Sequence, residues 1–127
     1  MQGHHLFEYA VIRVVPRVER EEFLNVGVVL YCRQQNFLRM MYALDEQRLH
    51  AFSPGLDIAE LKTYLMAFEH ICNGDKEGGP IARLDVASRF RWLTAMRSTV
   101  VQTSRVHPGL CGNPQQALAR LFEQLVL

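Results

Sequence analysis

Arginines gather in the second half of the chain, and their spacing indicates a site for a negatively charged ligand. Arg89 and Arg91 alternate with aromatic residues, so on a strand both guanidinium groups would project from one face. A third arginine, a serine and a histidine follow further along the chain. Guanidinium forks together with neutral donors are the groups that bind phosphate or carboxylate. We therefore expect an anion site formed by Arg91, Arg97, Ser98 and His107.

A second charged segment lies between Pro16 and Phe23 and could add to such a site. Its carboxylates could act as a general base or as metal ligands, and its arginines could hold an anion. The members of this additional candidate site are Arg13, Arg17, Glu19 and Glu22. Two other interpretations stay open: local ion pairs that only hold the turn, and, for Arg89 and Arg91, a solvated strand face whose arginines pair with Glu19, Glu21 and Glu22.

No complete catalytic motif accompanies these charges. The chain has no zinc-ligand spacing and no glycine-rich phosphate loop. Ser98 and His107 could form a nucleophile and base, but no Gly-x-Ser-x-Gly elbow surrounds the serine. We expect no metal, no cofactor and no assigned catalytic residue, which leaves open whether the protein is an enzyme.

Composition narrows the class of protein. A chain of 127 residues predicts a single domain over residues 1–127. The net charge of +1 argues against non-specific binding to duplex DNA. The three cysteines are widely spaced in apolar sequence, which favours buried free thiols in a reducing cytoplasm. No apolar run is long enough to cross a membrane, and the N-terminus lacks a secretion signal, so we expect a cytoplasmic protein with no membrane partner.

Hydrophobic patterning predicts an α+β fold: a small, mainly antiparallel sheet of about five strands, with two or three helices packed on one of its faces. The helices are expected to begin at Asp45, Asp57 and Asn113, which are N-capping residues. The expected strands are Leu6–Val15, Val26–Cys32, Phe37–Ala43, Arg89–Leu93 and Ser98–Val106. Val26–Cys32 is apolar throughout, which predicts a strand covered on both faces.

Two segments together, Tyr9–Cys32 and Arg89–Leu110, resemble a bacterial family known as domain of unknown function 3037. The resemblance implies a small cytoplasmic bacterial protein that is often encoded beside a HipA-like kinase. It therefore implies a protein partner or a shared pathway, and it implies no reaction.

These observations lead to one leading hypothesis and two rivals. We expect a non-catalytic accessory protein that binds a partner such as a HipA-like kinase and carries an arginine-lined site for a nucleotide or another phosphorylated ligand. The first rival is a small metal-dependent enzyme acting on a phosphorylated or nucleic-acid substrate. The second is a homodimer that forms through edge strands or exposed apolar surface.

Overall fold

The computed structural model describes residues 4–127, which form one antiparallel sheet covered by helices. The strands are β1 His5–Val14, β2 Leu24–Cys32, β3 Phe37–Tyr42, β4 Val101–Thr103 and β5 His107–Cys111. The helices are α1 Glu46–Phe52, α2 Ile58–Asn73, α3 Val86–Leu93 and α4 Pro114–Leu125. Short 3₁₀ turns occupy Val18–Arg20, Lys76–Gly78 and Pro80–Arg83. The predicted α+β class and the five-stranded antiparallel sheet are confirmed.

Strand β1 lies at the centre of the sheet, between β2 on one side and both β4 and β5 on the other. Strand β5 pairs with the first half of β1, and β4 pairs with the second half. Ser104 bridges the break between β4 and β5. Its Oγ accepts a hydrogen bond from the backbone N–H of Val11 at 2.8 Å, and its own N–H donates to the Val11 carbonyl at 2.8 Å. The side chain therefore replaces a backbone acceptor where the edge strand is interrupted.

The sheet is covered on both faces, so the prediction that the helices lie on one face is wrong. Side chains alternate along β2. Val29 and Tyr31 lie on the face of the sheet that is covered by α1, α2 and α3. Val28, Leu30 and Cys32 point the other way, into a second core cluster with α4. The apolar run of β2 already predicted burial on both faces, and a strand of that kind requires helices on each side.

Capping residues place three helices where the sequence predicted them. Asp45, Asp57 and Asn113 each accept a hydrogen bond from the backbone N–H three residues later, at 3.1 Å. Gly74 ends α2 in the left-handed conformation, with φ at 72°, which a residue without Cβ adopts at little cost. The buried face of α2 consists of Ile58, Leu61, Leu65, Phe68, Ile71 and Cys72, whereas Tyr64 is exposed.

The third helix replaces a predicted strand. Residues 89–93 alternate between polar and apolar types, but they lie in α3, where Phe90 and Leu93 form the buried face. An i, i+3 pair of apolar residues fits one face of a helix, and five alternating residues are too few to exclude that period. The predicted strand Ser98–Val106 is reduced to β4, and β5 was missed because its sequence contains proline and glycine.

The described residues also bear on the cysteines and on membrane-spanning helices. The three cysteines are buried and free, as predicted. In this described part of the chain, no helix combines the length and the apolar character needed to span a bilayer.

Candidate functional site: a basic cleft beside α3

A wide cleft opens between the β2–β3 hairpin and the N-terminal half of α3. Its volume is about 700 Å³, and an adjoining pocket of about 200 Å³ shares Asn36, Val86 and Arg89 with it. We call the two together the basic cleft, because its walls carry four arginines. These are Arg33 of the hairpin, Arg39 of β3, and Arg89 and Arg91 of α3.

Arg39 and Arg89 line the narrow end of the cleft together with Cys72. Both guanidinium groups are close enough to favour the thiolate of Cys72, although burial outweighs them and raises the pKa of that thiol to about 12. Arg89 donates from Nη1 to the Leu84 carbonyl at 2.7 Å. Gly74, which caps α2, lies beside Arg89: a Cβ added at Gly74 would be 3.4 Å from the guanidinium carbon of Arg89. The negative end of the α2 dipole therefore faces this arginine.

The arginines of the cleft have no carboxylate partner within 4.0 Å among residues 4–127, where the ion pairs are Arg20–Glu22 and His70–Asp75. Arg91 donates from Nη2 to the Ser88 hydroxyl at 3.1 Å. The Nε of Arg89 is buried without a hydrogen-bond partner in the same described part of the chain. The alternative in which the arginines pair with the glutamates of residues 19–22 therefore does not describe this cleft. Within residues 4–127, no ion pair neutralises the arginines of the cleft.

Two carboxylates line the wide end of the cleft. Glu8 extends from β1, and Asp85 precedes α3. The nearby Ser88 holds the pKa of Asp85 below its usual range, and attraction from Arg91 acts in the same direction. The wide end thus offers anionic acceptors next to cationic donors, whereas the narrow end offers only cationic and neutral groups.

Of the predicted anion-site residues, Arg91 lies in the cleft and Arg97 does not. The guanidinium carbon of Arg97 lies 4.7 Å from the ring centroid of Trp92 and 5.0 Å from that of Phe68. Its Nη2 donates to the Trp92 carbonyl at 2.6 Å. Arg97 therefore closes the C-terminal end of α3, and burial between the rings lowers its pKa. Two of its nitrogens, Nη1 and Nη2, thus donate to backbone carbonyls of α3.

Ser98 and His107 are also separated from Arg91. Ser98 is exposed in the segment between α3 and β4. His107 begins β5, and its ring lies 5.4 Å from that of Tyr9, its cross-strand partner. Tyr9 packs against the core beneath α4, which places this pair on the sheet face opposite α3. The structure therefore does not bring the four predicted residues together.

The additional candidate residues divide between two other clefts. Arg13 stacks on Phe23, with 3.8 Å from its guanidinium carbon to the ring centroid, and lines a cleft with Glu21 and Gln102. Its Nε is buried and unpaired among residues 4–127, and burial lowers its pKa. In this cleft, Glu21 of the turn after Pro16 and Gln102 of β4 line the same space.

Arg17 and Glu22 line a separate cleft with Phe52 and Pro54. Glu22 accepts a hydrogen bond from Arg20 at 2.6 Å, and this bond holds the pKa of Glu22 below its usual range. Glu19 is exposed in the 3₁₀ turn. The glutamates proposed as base or metal ligands thus lie outside the basic cleft.

Arg33 and Arg39 were missed by sequence reasoning, because they are far in sequence from α3 and the hairpin brings them there. One signal was available for Arg39. It is a lone charged residue in the apolar run of β3, where alternation predicts an outward side chain.

Comparison with known proteins identifies a family and no activity. A family model described as "Protein of unknown function (DUF3037)" matches residues 9–126. No curated protein and no solved structure matches the chain. Because the matched residues cover nearly the whole chain, the protein belongs to this family of proteins of unknown function.

Proposed function

We propose that this protein is a non-catalytic accessory module that binds a nucleotide or another phosphorylated ligand in the basic cleft. The observation that carries the proposal is the convergence of four arginines without a carboxylate within ion-pair distance in the described part of the chain. Like charges gathered in this way repel one another, and an anion relieves the repulsion. Guanidinium groups bind phosphate through two parallel hydrogen bonds, which favours phosphate over a spherical anion.

The shape of the cleft supports a ligand larger than free phosphate. A space of about 700 Å³ lies within the range typical of small-molecule sites. Its narrow end, with Arg39 and Arg89, suits a phosphate group. Its wide end, with Glu8 and Asp85, offers carboxylate acceptors for amino groups such as those on a nucleobase. A nucleotide places groups of both kinds at the two ends.

Thermal-shift measurements with pyrophosphate, ATP and GTP test the proposal. A ligand at a hundred times its dissociation constant raises the free energy of unfolding by about 2.7 kcal/mol. We expect stabilisation by at least one of these probes, and we expect Arg33→Glu and Arg91→Glu to reduce its affinity about tenfold or more. Both side chains are exposed, so neither change should unfold the protein.

Arg83→Glu is the matched control, because Arg83 is an exposed arginine of a 3₁₀ turn and does not line the cleft. If no probe stabilises the protein, or if Arg83→Glu weakens binding as much as Arg91→Glu, the basic cleft is not a phosphate site. Phosphate release in the same samples would favour the rival, a small metal-dependent enzyme acting on a phosphorylated substrate.

We also propose a protein contact beside the cleft. Leu6 and Leu110 are cross-strand partners and are 59% and 63% exposed, so they form an apolar patch on one face. Leu6 shares its face of β1 with Glu8, which lines the cleft. The family resemblance points to a HipA-like kinase as the partner.

A pull-down with the purified kinase tests this contact. We expect Leu110→Asp to abolish capture, whereas Met66→Asp, a change at an exposed methionine of α2 that does not line the cleft, should leave it intact. Equal capture by the two variants would contradict the proposal. Light scattering on the protein alone reports whether a second copy covers the patch instead.

A further inference from the structure

Three side chains of metal-binding type meet at the C-terminal end of α2. His70 lies in the last turn of the helix, and Asp75 and Glu77 follow in the next turn of the chain. A ligand atom from each of the three lies within 4.8 Å of the others. We propose that His70, Asp75 and Glu77 bind a divalent transition-metal ion.

The distance between the first two ligand atoms fits coordination. His70 Nδ1 and Asp75 Oδ2 are 3.0 Å apart. Two ligands about 2.1 Å from an ion are separated by about 3.0 Å when they lie at right angles, as around an octahedral ion, and by about 3.4 Å around a tetrahedral zinc. All three ligand atoms lie within 4.8 Å of one another, and Glu77 is exposed, so rotation of its side chain can bring its carboxylate onto the ion.

The backbone holds two of the ligands in place. The N–H of Asp75 donates to the His70 carbonyl at 2.9 Å, and the N–H of Gly78 donates to the Asp75 carbonyl at 3.0 Å. Gly78 packs so closely that a Cβ there would lie 3.2 Å from the His70 carbonyl oxygen and 2.5 Å from the Cβ of Ala82. The turn that carries Glu77 is therefore pressed against the helix that carries His70, and little ordering remains for the ion to impose.

The donor set indicates which ions fit. One imidazole nitrogen with two carboxylate oxygens suits zinc, manganese or cobalt better than calcium or magnesium, which prefer oxygen ligands alone. Two carboxylates and a neutral imidazole carry a charge of −2, which balances a divalent cation. A structural ion pair between His70 and Asp75 accounts for those two residues alone. It gives no reason for Glu77 to lie beside them.

Isothermal titration with zinc chloride, and separately with manganese chloride, tests the site. The protein should carry His4→Ala and His5→Ala, because adjacent histidines near the N-terminus could bind metal by themselves. We expect one ion per chain, and we expect Glu77→Gln to weaken binding about tenfold or more because a charged ligand is lost. That substitution leaves the bond between His70 and Asp75 intact.

Glu123→Gln is the matched control, since Glu123 is an exposed glutamate on α4. The proposal is overturned if neither ion binds, or if Glu77→Gln binds with the affinity of the Glu123→Gln variant. Loss of metal binding in His70→Ala adds support only if circular dichroism shows that this variant is folded. Because Glu77 does not line the basic cleft, Glu77→Gln should leave the thermal shift with ATP unchanged, which keeps this test separate from that of the phosphate site.

Discussion

Arg97 lies against Trp92 and hydrogen bonds to the same residue: its guanidinium carbon is 4.7 Å from the centroid of the ring, and its Nη2 donates to the carbonyl oxygen at 2.6 Å. The side chain thus satisfies a carbonyl at the end of α3 while it covers the aromatic surface of the helix. An arginine that the sequence assigns to an anion site serves here to hold α3 in place.

We predict that Arg97→Ala lowers the free energy of unfolding by about 1 to 3 kcal/mol, because it removes both the cation–π contact and a charged hydrogen bond. Arg97→Lys should recover little of this loss, since an ammonium group cannot stack on the ring and reach the carbonyl in the same way. Urea denaturation measures the change. Arg83→Ala, at an exposed arginine, should be nearly neutral, and equal stability of the two alanine variants would contradict the prediction.

Ser104→Ala tests the break between β4 and β5. It removes the hydroxyl that accepts from the Val11 N–H, and Ser104 is only 4% exposed, so a buried donor loses its partner. An unsatisfied buried donor costs about 1 to 3 kcal/mol. Hydrogen exchange at the Val11 amide should accelerate together with the loss of stability in urea. Ser98→Ala, at an exposed serine, is the control and should change neither quantity.

Gly27→Ala and Gly55→Ala form a matched pair. A Cβ at Gly27 would lie 2.6 Å from the carbonyl oxygen of Met41 and 2.9 Å from the Cβ of Tyr42, whereas a Cβ at Gly55 has nothing within 4 Å. Because the neighbours of Gly27 include rigid backbone, we expect a loss of about 1 to 3 kcal/mol or more. Gly55→Ala should be neutral or slightly stabilising. Comparable melting temperatures for the two variants would show that β2 and β3 can separate to admit a side chain.

Some helices and strands of this fold could be predicted from local features of the sequence. Helices α1, α2 and α4 were predictable because an aspartate or asparagine stands at the N-cap of each. The side chain of that residue accepts a hydrogen bond from a backbone amide in the first turn of the helix. Strand β2 was predictable from its continuous apolar run. Both signals are local, and the structure confirms both.

The parts that the sequence did not reveal depend on contacts between distant segments. Strand β5 contains Pro108 and Gly109, and it exists because the first half of β1 offers an unpaired edge. In the same way, Arg39 and Arg91 line adjoining pockets only because α3 packs beside the β2–β3 hairpin. Local patterns carry no information about how distant segments pack, which explains why Arg91 was predicted whereas Arg33 and Arg39 were not.

Cys72 makes the free energy of unfolding fall as the pH rises through the alkaline range. Burial raises the pKa of its thiol from 9.0 to about 12. Above pH 9.0 the unfolded chain loses this proton while the folded protein keeps it, so stability present below that pH is lost as pH rises toward 12. One thiol changes the free energy of unfolding by at most about 1.4 kcal/mol per pH unit.

We therefore predict that the wild type loses about 1 kcal/mol more than Cys72→Ala when the pH is raised from about 8 to about 10. Urea denaturation of both proteins at each pH measures the difference. The cavity left by the substitution lowers stability at both pH values, so it cancels from the comparison, and lysines and tyrosines contribute equally to the two proteins. Parallel pH profiles would mean that the folded state admits enough water for Cys72 to ionise as it does in the unfolded chain.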